Sequence, residues 1–213
     1  MKIAIKKIEE VTGYKVIRNS TSIGLDIAER TGFCEIKTDE ENINLNFWSV
    51  EFDKTDIDTI YKNMYDIFNK CIDNQDMVVI EDTFLQRFGK FVQADVFKKL
   101  TRFGTLALAV CIQKGIKRRF ILAKSSRAKL KIKMITGKPK ESVALWLIEK
   151  LEIDLKGDDD ASDGVILALL AILEGMDFRS NKAIADEKKK IKEGLLKDKE
   201  AKKKRKKWQR EGV

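Results

Sequence analysis

Four acidic residues stand where acids are costly: Asp26, Glu81, Asp160 and Asp163. Asp26 lies in an apolar run with Ile23, Leu25 and Ile27, and a strand interior is a poor place for a charge. Glu81 closes the apolar run MVVIE, at the carboxyl edge where α/β sheets commonly bind ligands. Asp160 and Asp163 are three apart at the start of an apolar helix and so share one helix face. The chain contains no histidine, which excludes a Ser-His-Asp triad, a Cys-His pair, an imidazole base and a His-containing zinc site. Carboxylate oxygens without imidazole or thiolate partners suit hard cations, Mg2+ or Mn2+. Two such ions can hold an attacking water and a leaving oxygen for in-line displacement at phosphorus. Each acid also has a plainer reading. Asp160 can cap a helix, Asp163 can be the third-position acid of that cap, Glu81 can open a loop and Asp26 can pair with an arginine. One at a time the plainer readings are favoured; the four together, in this order, favour the metal.

The elements that must position these acids follow from periodicity. Residues 22–27 form a first core strand, Thr31-Gly32 a tight turn, and 33–37 with 42–50 an alternating pair, giving an antiparallel meander. Residues 55–72 carry apolar side chains at helical spacing, with Thr55 or Asp56 as N-cap. Residues 77–81 and 118–123 are short buried strands on either side of a long helix from Gly89 to Gly115. Residues 124–136 are a basic loop or helix start, and Pro139 opens a helix running to about residue 151. A last core helix, capped by Asp160 or Ser162, is apolar all round from Val165 to Leu173 and must be buried. Residues 1–18 read as a strand or small hairpin around Thr12-Gly13, and 182–210 as a solvated basic helix. The order predicts an α/β fold with a mixed five-stranded sheet, three antiparallel strands then parallel ones, flanked by helices.

The 213 residues suffice for one domain with extensions, and 43% apolar with 36% charged residues describes a globular chain. Cysteines 34, 71 and 111 are too few for an all-cysteine zinc site and read as reduced, mostly buried cytosolic thiols. No segment looks like a signal peptide, and the longest apolar run, Val165–Leu173, is well short of the ~20 residues that span a bilayer. The net charge of +9 is uneven: 13 basic and 6 acidic residues fall in 186–213. In the body, residues 114–140 hold eleven Lys/Arg and no acid, and 152–163 hold six acids against one lysine. Basic surface favours a polyanion, and clustered acids repel unless a cation neutralises them. Solvated surface is the plainer reading of both.

Four stretches resemble one family. SIGLDIAERTGFCEI (22–36), VVIEDTF (78–84), the basic segment 124–140 with Gly137, and DDASDGVILALLAIL (159–173) are similar, in order and spacing, to RuvC-type Holliday junction resolvases of the RNase H-like superfamily. Within it the chain looks most like the bacteriophage-encoded RuvC-like resolvases of lactococcal phages. The resemblance spans about residues 20–175 and divides the chain into an N-terminal extension (1–20), a nuclease domain (21–178) and a basic tail (179–213). It departs from the cellular family where Ile27-Ala28 replace the usual Pro-Gly.

The resemblance implies a Mg2+-dependent endodeoxyribonuclease, with Mn2+ as substitute, whose ions are held by Asp26, Glu81, Asp160 and Asp163. It implies that Phe84 stacks on an unpaired base and that Lys124, Lys129, Lys131, Lys138 and Lys140 are candidates for phosphate contact. It implies branched DNA, four-way junctions above all, as partner, and a homodimer matching the two symmetric nicks. The expected location is the cytoplasm, that of the bacterial host if the chain is phage-encoded, with no membrane partner. Two other functions stay open: another RNase H-like nuclease, acting on RNA–DNA hybrids or of transposase type, and a non-catalytic DNA-binding protein.

Overall fold

In the computed structural model, residues 1–28, 30–51, 56–82, 87–88, 91–92, 94–158 and 160–179 are described. Residues Met1–Phe178 form one compact unit. The expected tail helix lies outside the described residues.

A meander begins the main sheet. Strands β2 (Thr21–Asp26), β3 (Arg30–Thr38) and β4 (Asn42–Glu51) pair antiparallel. Parallel strands β5 (Met77–Glu81) and β8 (Lys117–Ile121) continue it on the other side of β2. The five expected strands are all present, and β1 (Lys2–Ala4) adds a sixth along β4, for an order β1-β4-β3-β2-β5-β8. Between β5 and β8 the two-residue strands β6 (Arg87–Phe88) and β7 (Phe91–Val92) pair as a separate ribbon.

One face of the sheet carries α2 (Ile57–Cys71) and α3 (Ala94–Gln113). Ile23, Leu25, Phe33, Val78 and Ile80 point to that side and pack with Met64, Phe68 and Phe103. Asp56 caps α2, its carboxylate accepting from the Asp58 and Thr59 amides at 3.2 and 3.0 Å. The opposite face carries α1 (Ile5–Thr12), α4 (Ala123–Lys129), α5 (Pro139–Leu151) and α6 (Ala161–Ala171). Every residue of α6 is buried, as its all-round apolarity requires.

Three local readings are corrected. Residues 1–18 are not a hairpin: Ile5, Ile8 and Thr12 recur at helical spacing, and Gly13, at φ +76°, ends α1 in the left-handed region. Thr31 and Gly32 lie inside β3 rather than in a turn, and the Thr31 hydroxyl donates to the Ala28 carbonyl at 2.8 Å. The long helix begins at Ala94, not Gly89, and strand β7 stands at Phe91–Val92.

Candidate active site

The site is built from strand parity. β2 and β5 run parallel with Leu25 opposite Ile80, so the residues that follow, Asp26 and Glu81, end adjacent strands side by side. Leu25 and Ile80 face α2 and α3, and alternation turns Asp26 and Glu81 to the α6 face. Ser22, on the same face of β2 as Asp26, donates to the Ala168 carbonyl of α6 at 3.3 Å.

Helix α6 lies against this face by backbone contact. A Cβ on Gly24 would overlap the Gly164 carbonyl and the Ala168 amide, and one on Gly32 would overlap the Asp160 carbonyl. Gly164 returns the fit, its own Cβ position being 3.1 Å from the Gly32 carbonyl oxygen. The amino end of α6, with Asp160 and Asp163, is thereby pressed onto the carboxyl end of β2.

Burial and mutual repulsion define the electrostatics. Asp26 and Asp163 are 6% and 3% exposed. The Asp26 and Glu81 carboxyls are hydrogen-bonded to each other, which two carboxyls manage only with a proton between them. Burial raises both, and the charge of Asp163 adds to it; Glu81 is raised further by the hydrogen bond and the charge of Asp26. The pair therefore retains one proton well above the ordinary carboxylate range.

The two acids of α6 are held by cations. Arg127, on α4, forks onto Asp163: Nε donates to Oδ1 at 3.0 Å and Nη2 to Oδ2. Lys140, on α5, donates through Nζ to Asp160 Oδ1. Arg30, at the start of β3, reaches Asp160 Oδ2 at 3.2 Å and Asp158 Oδ1 at 3.5 Å while donating to Ser49 Oγ at 2.9 Å. Burial opposes the charge on Arg127 and Lys140, but their bonds to Asp163 and Asp160, with the other acids nearby, raise both pKa values. Asp160 stands at the N-cap of α6 yet makes no capping bond with its side chain. The capping explanation of this acid therefore does not hold, and its partners are Lys140 and Arg30.

The basic stretch and the acidic cluster, separate in sequence, are thus interleaved in space. Of the lysines expected to meet phosphate, Lys140 alone is placed among the acids. Lys124 is exposed and Lys129 half-buried on α4, Lys131 follows α4 with a left-handed φ of +56°, and Lys138 pairs with Glu141 at 2.8 Å. Phe84 lies outside the described residues. Arg127 and Arg30 were missed as site residues by sequence reasoning. An arginine amid lysines is a faint signal of bidentate carboxylate binding for Arg127; Arg30 had none beyond its nearness to Asp26.

The donor set is all oxygen, which fits a hard divalent cation. Among the described residues no three His, Cys, Asp or Glu side chains form a group that could hold a metal ion; Asp163 is paired with Arg127 and Asp160 with Lys140. Among the same residues no helix is long and apolar enough to cross a membrane.

The architecture has solved counterparts. The chain is similar to Thermus thermophilus RuvC in complex with a Holliday junction substrate, with a TM-score of 0.55 and 13% identity over 70% of this chain and 90% of that one. A second Thermus thermophilus RuvC structure gives 0.52 at 13% identity, over 70% and 91%. The fold is RuvC-like. The yeast mitochondrial Holliday junction resolvase Ydc2 is also similar, at 0.49 and 13% identity over 76% and 81%. No family model matches the sequence, and no curated protein matches it.

Proposed function

We propose that the chain is a metal-dependent, structure-selective DNA endonuclease that resolves Holliday junctions and other branched DNA by phosphodiester hydrolysis. The observation that supports this reading is that Asp26 and Glu81 end adjacent strands on the face against which the amino end of α6, bearing Asp160 and Asp163, is packed, on a RuvC-like sheet. Its sequence blocks are most like the phage-encoded members of that group.

In this reading the four acids hold two Mg2+ ions, with Mn2+ as substitute. When bound, the ions supply Lewis-acid charge at the scissile phosphate and make water nucleophilic near neutral pH. The chain's own contribution is positional. Burial of Asp26 and Glu81 provides two acceptors that need positive charge, and the proton they share is the one a cation would replace. The backbone contacts at Gly24 and Gly32 fix α6 on the sheet, and with it Asp160 and Asp163. Lys140 brings a cation beside the acids, where the phosphate's charge must be offset. By the resemblance, Lys124, Lys129, Lys131 and Lys138 are the further candidates for phosphate contact and Phe84 the candidate to stack on an unpaired base. A homodimer would set two such sites against the two-fold symmetry of a four-way junction.

The test is a synthetic four-way junction with Mg2+. Paired, symmetric nicks on opposing strands are expected, and Asp26→Asn should abolish them. Undiminished cutting by that variant sinks the assignment. Preference for an RNA–DNA hybrid would point to another RNase H-like activity, and binding without cleavage under any divalent metal to a non-catalytic protein.

A further inference from the structure

Arg127 holds both oxygens of Asp163 in a single planar fork. Neither group has much access to water: the Arg127 side chain is 14% exposed and that of Asp163 5%. A bidentate guanidinium occupies the in-plane lone pairs of a carboxylate, the same lone pairs a metal ion would use. The fork is also well anchored. Arg127 sits in the last turn of α4, which packs on α6, and its carbonyl accepts from the Ile132 amide at 3.0 Å, closing the turn after the helix. Its charge faces Asp26 and Glu81 as well as Asp163, so one cation offsets the repulsion of three acids.

We infer that Arg127 is the site's internal counter-ion, competing with the divalent cation for Asp163, so that metal binding requires at least one arm of the fork to let go. This rests on the metal reading proposed above. Arg127 is a positioning residue in this scheme. It holds the acids together against their mutual repulsion, and the cost of displacing it lowers metal affinity. Because coupling is reciprocal, whatever the fork subtracts from metal binding, the metal subtracts from the fork.

The experiment is calorimetric titration of Mg2+ into the full chain and into Arg127→Gln and Arg127→Lys, with thermal unfolding in EDTA and in saturating Mg2+. Arg127→Gln should bind Mg2+ at least about tenfold more tightly, melt lower in EDTA, and gain more from Mg2+ than the wild type, since a tenfold change is ~1.4 kcal/mol of coupling. Arg127→Lys, which keeps the charge and loses the fork, should fall between. A folded Arg127→Gln that binds Mg2+ equally or more weakly overturns the inference. If Arg127→Gln does not fold, the wild type decides: the Arg127 Nε–H resonance should move and exchange faster with water on saturation with Mg2+. A resonance unmoved by bound Mg2+ overturns it as well. If no protein binds Mg2+ at all, the metal reading fails and takes this inference with it, a result distinct from binding that ignores residue 127.

Discussion

Asp26 and Glu81 end neighbouring parallel strands on the same face and are joined by a hydrogen bond that needs a proton. The pair binds that proton more tightly folded than unfolded. Stability then falls as pH rises from the unfolded carboxyl range, near 3.8 and 4.5, towards the raised folded values. In EDTA the melting temperature of the wild type should decline between pH 5 and 8. Glu81→Gln should flatten that decline and raise stability at pH 8 by roughly 1–3 kcal/mol, because an amide needs no proton to be taken up on folding, while abolishing cleavage. Parallel pH slopes for wild type and variant would show that the pair does not share a proton. Asp39, Asp56 and Asp76, all lowered by hydrogen bonds, act with the opposite sign and lose their contribution only as pH falls through the carboxylate range. They cancel in the comparison.

The contact of α6 with the sheet gives the second prediction. Gly24→Ala drives a methyl into the backbone of α6 at Gly164 and Ala168, where no side chain can yield, and should cost at least about 3 kcal/mol. Gly32→Ala meets the Asp160 carbonyl instead, at the helix end, and should cost less stability but displace the acid pair. Cleavage would then fall further than unfolding in denaturant can account for. Gly104→Ala on α3 is the control: nothing lies within 4 Å of the added methyl, so it should stabilise by roughly 0.5–1 kcal/mol.

The parts of this site that could be read from sequence are those set by local period. Alternation in β2 places Asp26, the run MVVIE places Glu81, and an all-apolar α6 must be central whatever surrounds it. What could not be read depends on tertiary placement. Arg127 is one of eleven bases between residues 114 and 140, and only the packing of α4 on α6 distinguishes it from its neighbours. Asp160 carries the sequence signature of a cap, yet its side chain is drawn to Lys140 and Arg30, both remote in sequence. α1 was hidden because its apolar residues, Ile5 and Ile8, are interrupted by lysines and glutamates that suit a strand edge as well as a helix.

The cysteines carry a third prediction. Burial raises all three thiols, Cys71 and Cys111 to about 11, and Cys34 further. Cys34 and Cys111 are buried and Cys71 half-buried, and none is in a disulfide. The native protein should titrate slowly with a thiol reagent at pH 8, Cys71 first, and show three free thiols once unfolded. Rapid reaction of Cys34 in the folded protein would mean that the sheet opens at β3.

Lys140 and Lys124 should separate chemistry from binding. Lys140 stands on Asp160 among the acids, half-exposed, whereas Lys124 is exposed on α4. A cation beside the reacting phosphate acts most on the transition state, where charge accumulates, so Lys140→Ala should lower the cleavage rate by about 10²-fold with a smaller change in junction affinity. A cation on open surface contributes by releasing counterions from the DNA backbone. Lys124→Ala should therefore weaken binding modestly, leave single-turnover cleavage at saturation unchanged, and reduce the slope of log affinity against log salt by roughly one unit. Single-turnover rates and binding isotherms at several salt concentrations measure both. If Lys140→Ala behaved like Lys124→Ala, Lys140 would be one more surface phosphate contact, and its hold on Asp160 would have no bearing on the chemistry.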